Sequence, residues 1–401
     1  MSLQQSKTQL KVSILVSDLS SAGAGRWGGG GVRSFLLAQA LQKLNYEVEI
    51  LGFVFGEQAA VIPQSEIAVN HVMGYNYPQF LQSAAQVLKK LDGNIIYAMR
   101  PKPTTFGISM LKKLKSHQPI ILDIDDWEMS WHGGEKWQYQ PSPKQFVRDI
   151  FQKNGALRYP DHPLYLKWVE GMTQNADAIT IHTQFLKERF GGVYLPNGKD
   201  TDLFNPDHYH PEESKARYGL SGYRILMFPG APRPYKGVED VLIALEQLNE
   251  PDLRLVIVGG SPYDDYDAKL MEKWGHWIIK LPKYPSTEMP QIVAAADIIV
   301  VPQRNTPAAL AQFPLKLTDG MAMAKPVLAT KVGDIPEILG ETGYLVDSSC
   351  PEQIAAKIQW IFHNLEAAKA KGQMARERCV KYYSVDTMAA TLSQVIAQFD
   401  Q

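Results

Sequence analysis

Short, mostly apolar runs rich in β-branched residues recur along this chain, and most are followed by a longer stretch of helical period. In the first half the runs fall at residues 11–17, 47–53, 94–98, 119–124, 178–182 and 193–195. In the second half they fall at 224–228, 253–258, 277–281, 298–301, 327–329 and 344–346. Helical spacing fills 32–44 (apolar at Val32, Phe35, Leu36, Ala40 and Leu44), 78–91, 104–116, 238–248, 265–274, 315–324 and 351–362. A strand that is apolar throughout has both faces covered, as in parallel sheets, whereas a half-exposed strand alternates. Alternation of β and α then predicts an α/β chain with doubly wound sheets and right-handed crossovers.

At 401 residues the chain exceeds what one core of ~250–300 residues can organise. Two domains are expected, 1–205 and 206–384, with the seam in the unpatterned stretch 205–214 (Asn205-Pro206-Asp207-His208-Tyr209-His210-Pro211). A last helical segment, 385–399 within a tail of 385–401, is expected to strap back to the first domain. The 41 Lys and Arg against 42 Asp and Glu leave a net charge of −1, so no global positive field draws the chain to nucleic acid. Two cysteines, Cys350 and Cys379, build neither a disulfide scaffold nor a Cys-rich zinc site. The apolar stretch Val12–Val16 is too short for a secretion signal, and nothing approaches the ~18 apolar residues of a membrane span. A cytoplasmic location is expected, with peripheral contact at the inner face of the membrane left open.

Parallel sheets offer ligands the C-terminal ends of their strands, and two such domains are expected to face one another across a cleft. Gly28-Gly29-Gly30-Gly31 precedes the helical segment 32–44, where free amides and missing side chains admit an anion. Gly23-Ala24-Gly25-Arg26-Trp27-Gly28 is formally G-x-G-x-x-G, with Glu49 about 20 residues on as in dinucleotide sites. Its first glycine lies six residues beyond the strand, and three readings stand: dinucleotide site, anion-tolerant loop, or loop without ligand.

The second half opens on Phe228-Pro229-Gly230-Ala231-Pro232-Arg233-Pro234-Tyr235-Lys236-Gly237. A diphosphate suits a guanidinium fork and an ammonium held together, and prolines stiffen the loop that carries Arg233 and Lys236. The alternative is a solvated basic turn. Downstream, Ala311-Gln312-Phe313-Pro314-Leu315-Lys316-Leu317-Thr318-Asp319 begins another helix. Amides near Leu315 and Lys316 would face an anion, and Asp319, a turn further on, would accept from vicinal hydroxyls.

These pieces resemble the glycosyltransferase group 1 family, also called family 4, with the GT-B fold of two Rossmann-like domains. The resemblance rests on Gly30-Gly31-Val32, Leu195-Pro196-Asn197-Gly198-Lys199-Asp200 with Phe204, and Arg233-x-x-Lys236-Gly237. It continues through Asp319-x-Met321-Ala322 and Lys325-Pro326-Val327 to Gly333-x-x-Pro336-Glu337, in an order that spans nearly the whole chain. It implies retaining transfer of a hexose from a nucleotide-diphosphate sugar, UDP-glucose or a related UDP-sugar, to a hydroxyl. Neither a metal nor a cofactor is implied, since the nucleotide sugar is a substrate.

By that resemblance Arg233 and Lys236 hold the diphosphate, while Phe313, Pro314, Leu315 and Lys316 contact donor sugar and phosphate. Asp319 meets the ribose, Gly30 and Gly31 let the first domain approach the β-phosphate, and the base is expected near Leu281 and Pro282. Two positions depart from the family. Ala311 replaces the first glutamate of E-x7-E, and Asp125 stands where a histidine is usual. Asp125 and Asp126 are read as partners of acceptor hydroxyls or as a base. Asp123-Ile124-Asp125 is also a formal D-x-D, a metal motif of a different glycosyltransferase fold.

The insertion-like segment 127–168 holds four of the eight tryptophans. In it Lys136, Lys144, Arg148, Lys153, Arg158 and Lys167 outnumber Glu128, Glu135, Asp149 and Asp161. Two readings stand: an acceptor-side lid for sugars, a lipid diphosphate or a membrane surface, or a helical subdomain whose aromatics are core. The expected acceptor is a glycan or lipid-linked oligosaccharide. Two alternatives of function remain: a non-catalytic nucleotide-sugar-binding subunit, suggested by Ala311, and an NAD(P)-dependent oxidoreductase built on 23–28.

Overall fold

The computed structural model describes residues 9–20, 32–56, 67–260 and 264–399. These form two units, the first reaching Pro196 and including the residues from Met388 onward, the second running Asn197–Thr387.

In the first unit the strands are β1 (Lys11–Val16), β2 (Glu47–Phe55), β3 (Ala68–Gly74), β4 (Ile95–Met99), β5 (Ile120–Ile124), β6 (Ala178–Ile181) and β7 (Val193–Tyr194). Among the described residues they make one seven-stranded sheet in the order β3-β2-β1-β4-β5-β6-β7, with every pairing parallel. The central strands β4 and β5 are buried at every residue, which explains their largely apolar sequence, Asp123 of β5 being the charged exception. β3 has no such run and is a finding of the structure. As an edge strand its first residues are largely exposed, so Asn70 and His71 are tolerated there.

The second unit has β8 (Arg224–Pro229), β9 (Leu253–Val258), β10 (Ile278–Leu281), β11 (Ile298–Val301), β12 (Val327–Thr330) and β13 (Tyr344–Val346). They form a six-stranded parallel sheet in the order β10-β9-β8-β11-β12-β13 among the described residues. Side chains of β8 alternate between the two cores that cover this sheet: Ile225 and Met227 enter one, Leu226 and Phe228 the other. In both sheets the strand order reverses beside the first strand, and that switch point opens at the C-terminal strand ends.

The boundary between units lies upstream of the expected stretch 205–214. Lys199 pairs with the far end of the second unit: its N–H donates to Tyr383 O (2.7 Å), and its carbonyl accepts from Val385 N–H (3.0 Å). Arg376 donates to the Phe204 carbonyl (2.8 Å) and to Asn205 Oδ1 (3.2 Å). Residues 197–205 are thereby stitched into the second unit by hydrogen bonds distant in sequence.

Candidate active site

The loop after β8 carries the second unit's cations. It turns through Pro234–Lys236 into the helix Val238–Leu248, with Gly237 between them at φ 68°. A Cβ at Gly237 would meet the Pro302 carbonyl oxygen at 1.9 Å, so only glycine lets this loop seat against the end of β11. Arg304 N–H donates to Tyr235 O (2.9 Å), and its guanidinium reaches Asp240 (2.7 Å) and Glu239 (2.9 Å) across the helix start. The loop is therefore held from below before any ligand arrives.

Within it, Lys236 Nζ donates to the Ala231 carbonyl (3.1 Å), and Arg233 Nη1 donates to Asp264 Oδ2 (2.8 Å). Lys316 comes from the helix Leu315–Ala322, its Cε passing 3.9 Å from where a Cβ of Gly230 would sit and its ammonium 4.6 Å from the Phe228 ring centre. Burial, then the charges of Lys316 and Arg233, push the Lys236 ammonium well below the ordinary lysine range. Burial lowers Lys316 to about 8, against a smaller opposing effect of Asp319. Like charges drawn together out of water are costly unless an anion joins them.

The same helix places Asp319 one turn in, where Oδ1 accepts from Lys199 Nζ. That ammonium also lies 4.0 Å from the Phe204 ring centre. Asp319 is therefore already paired, and Lys199 is a site residue that sequence reasoning left without a role. Phe313 turns its ring into the core, 6.3 Å from Tyr383, so a contact to the donor would come from its backbone. Pro314 precedes the helix and Leu315 packs against the same core, leaving their main chain at the helix head. Ala311 is fully buried and carries no carboxylate. Leu281 is a core residue whose carbonyl accepts from Gly259 N–H (2.9 Å), while Pro282 is exposed.

In the first unit, acidic residues gather at the end of β5. Asp123 is wholly buried in a two-point pair with Arg33 (2.6 and 2.8 Å) and accepts from Thr180 Oγ1 (2.7 Å). Both its oxygens are thus engaged structurally, which opposes the D-x-D reading. Asp125 accepts from Arg100 Nε (2.6 Å), and the same guanidinium bonds Glu128 (2.7 Å) and approaches Asp126 (3.8 Å). Lys102 adds a second cation to Glu128 (3.1 Å). Burial favours the neutral carboxyl of Asp125, yet Arg100 and then His182 hold it down at about 2. Asp126 differs: burial, reinforced by Glu128 and Asp125, raises it to about 7 despite Arg100. Its oxygens accept from Trp127 N–H (2.9 Å) and Trp131 Nε1–H (3.0 Å).

Asp125 and Asp126 thus enter the structure as buried, hydrogen-bonded groups around Arg100, rather than as exposed carboxylates awaiting a hydroxyl. Arg100 itself was not foreseen. It sits just past β4 at φ 71°, a costly backbone for a residue with a Cβ, and that strain was the kind of signal only coordinates carry.

Gly30 and Gly31, and the formal fingerprint 23–28, lie outside the described residues. Glu49 does not support a dinucleotide reading. It sits near the N-terminal end of β2, where it accepts from Ser13 Oγ (2.6 Å) and Asn70 Nδ2 (3.0 Å), not at the C-terminal end that faces a ligand. Segment 127–168 divides: Trp127 is buried under the Arg189 guanidinium (4.0 Å to the ring centre), whereas Phe146, Phe151 and Trp168 are exposed. Among the described residues no group of three or more His, Cys, Asp or Glu could hold a metal ion.

Residues 223–364 match the family model described as "Glycosyl transferases group 1". The chain is 27% identical over 326 residues, 75% of its own length and 81% of the relative's, to a GDP-mannose-dependent alpha-(1-6)-phosphatidylinositol monomannoside mannosyltransferase of Mycolicibacterium smegmatis. It is 23% identical to a D-inositol 3-phosphate glycosyltransferase of the same organism, covering 97% of this chain and 91% of that one. Among solved structures, Anabaena HepE in complex with UDP-glucose superposes with a TM-score of 0.74 at 17% identity, covering 97% of this chain and 100% of that one. A sucrose-phosphate synthase from Thermosynechococcus elongatus gives 0.71 at 16% identity, covering 97% and 99%.

Proposed function

We propose that this chain, which belongs to the glycosyltransferase group 1 family and has the GT-B fold, moves a hexose from a nucleoside-diphosphate sugar to a hydroxyl of a lipid-linked or glycan acceptor, with retention at the anomeric carbon. The donor in this reading is UDP-glucose or a related UDP-sugar. One observation carries it: Lys236, Lys316 and Arg233 converge beside the end of β8, where burial lowers the proton affinity of both lysines and repulsion from Lys316 and Arg233 lowers that of Lys236 further. A diphosphate relieves that repulsion and gains charge-assisted hydrogen bonds from groups already in place.

Chemically, the sugar C1–O bond to the β-phosphate breaks while the acceptor oxygen bonds to C1 on the same face. Negative charge grows on the leaving diphosphate, where Arg233 and Lys236 are set to meet it. The acceptor proton passes to the leaving phosphate oxygen. Asp125 and Glu128 are then positioning residues that hold Arg100, and neither needs to act as base. Asp319, with Lys199 behind it, is assigned to the ribose hydroxyls, and the helix-head amides of Leu315 and Lys316 to phosphate.

A second reading replaces the donor by GDP-mannose, and rests on the mannosyltransferase that is 27% identical. Calorimetric titration with UDP, GDP, UDP-glucose, GDP-mannose and NADH separates these. Tight binding of one nucleoside diphosphate, followed by its slow release from the cognate sugar, supports the enzyme. Binding without any release leaves a nucleotide-sugar-binding subunit, and binding of NADH alone overturns the reading.

A further inference from the structure

The helix Pro143–Phe151 is built inside out. Ser142 caps it, accepting from Gln145 N–H (3.3 Å), and Pro143 occupies its first turn. Its inward residue is a charged one: Asp149, 4% exposed, accepts from Tyr139 Oη–H (2.8 Å). The chain at Gly155 closes on the same side, where a Cβ would meet the Asp149 carbonyl oxygen at 2.2 Å. Helical spacing then carries the apolar residues away from the protein: Phe146 is 45% exposed, Val147 55%, Ile150 36% and Phe151 75%.

Exposed cations accompany that face. Lys144 and Arg148 follow one another along its edge and Lys153 lies just beyond its end, while the helix's one acid points inward. On the next helix, Pro163–Glu170, Leu164 and Trp168 are a further exposed i,i+4 pair. The two helices are tied together, since Tyr139 bonds Asp149 and stacks edge-on against His162, the cap of the second helix (5.5 Å). Among the described residues no helix is long and apolar enough to cross a membrane. An apolar stripe edged by cations and cleared of acids instead suits a helix lying in the headgroup layer.

We propose that the helix Pro143–Phe151 docks the protein on anionic phospholipid surfaces, inserting Phe146 and Phe151 while Lys144, Arg148 and Lys153 meet the headgroups. A neutral partner protein would match the apolar stripe but leave without purpose the exposed Lys144 and Lys153, and an Arg148 that is half exposed and keeps only a 3.6 Å approach to Asp149, while a second copy would set those cations against their own kind. The use of this contact, bringing the site to a lipid-linked acceptor, rests on the function proposed above; the contact itself is measured without donor or acceptor.

The test is co-sedimentation of the full chain with vesicles of phosphatidylcholine alone and of equimolar phosphatidylcholine and phosphatidylglycerol. The chain binds the mixed vesicles, and binding weakens as salt is raised. Phe146→Ser with Phe151→Ser lowers partitioning roughly tenfold or more, and Lys144→Glu with Arg148→Glu removes the preference for anionic lipid. Nucleotide binding by both variants stays as in the parent chain, which separates this surface from the donor site. Absence of binding to the mixed vesicles, or undiminished binding by the variants, overturns the proposal. So does a dimer in sedimentation velocity that the phenylalanine variant converts to monomer, for then a second copy covers the face. Should the phenylalanine variant fail to fold, the charge variant decides alone.

Discussion

Lys199 donates to the Asp319 carboxylate from a position 120 residues earlier in the chain, at the strand-like entry to the second unit. Both side chains are largely buried, so each is the other's main compensation for lost water. Removing one partner of such a pair costs about 3 kcal/mol or more, because the remaining charge is stranded. Lys199→Met should therefore destabilise the chain by about that much in chemical denaturation. The double variant Lys199→Met/Asp319→Asn should recover part of the loss. Additive losses would show that the pair is not coupled.

Arg233 and Lys236 are expected to act on turnover rather than on folding. Replacing either by an uncharged residue should lower kcat/KM by roughly 10²–10³, the usual loss for one group that stabilises a developing anion. Thermal stability without nucleotide should hold or rise in Lys236→Met, since that ammonium is buried among like charges. Unchanged turnover in the double variant would remove the diphosphate site.

The same cations make donor binding pH-dependent. Lys316 titrates at about 8 in the fold, against an ordinary value of 10.5, so between those values the folded chain holds fewer protons than the unfolded one. Its contribution to stability accordingly rises with pH across that window and is unfavourable below it. A bound diphosphate reverses the preference by favouring the ammonium. Nucleotide binding at pH 8 should take up protons, measurable by calorimetry in buffers of different ionisation heat, and affinity should fall roughly tenfold towards pH 10. Proton release on binding would contradict the arrangement.

Arg100 is the keystone of the first unit's acidic group. Without it Asp125, Asp126 and Glu128 face one another in a buried site, and all three carboxyls rise towards neutrality. Arg100→Met should lower the melting temperature sharply at pH 8 and recover part of it near pH 5, because the folded chain then binds more protons than the unfolded one. Arg100→Lys should rescue little, since an ammonium cannot reproduce the fork shared by Asp125 and Glu128.

Much of this architecture is legible along the chain because it depends on neighbours a few residues apart. Ile298–Val301 reads as a buried parallel strand because covering both faces favours apolar side chains at every position, and Ile120–Ile124 departs from that only at Asp123, which Arg33 pairs. Gly237 and the prolines around Arg233 likewise mark a rigid loop before a helix. β3 escaped notice because an exposed edge relaxes that demand. The unit boundary was displaced for another reason: Lys199 and Arg376 bind segments that only the fold brings near them.

The order of elements, the two parallel sheets and the loop that bears two cations were settled by local period, by the backbone freedom of glycine and by the fixed φ of proline. Which charges meet was not. Lys316 joins Lys236, Asp319 receives Lys199, Arg100 gathers three carboxylates, and the helix Pro143–Phe151 turns its apolar side outward, all through contacts between residues far apart in sequence. A residue's type limits what it can bind, but packing decides which face is covered and which charges share one desolvated space.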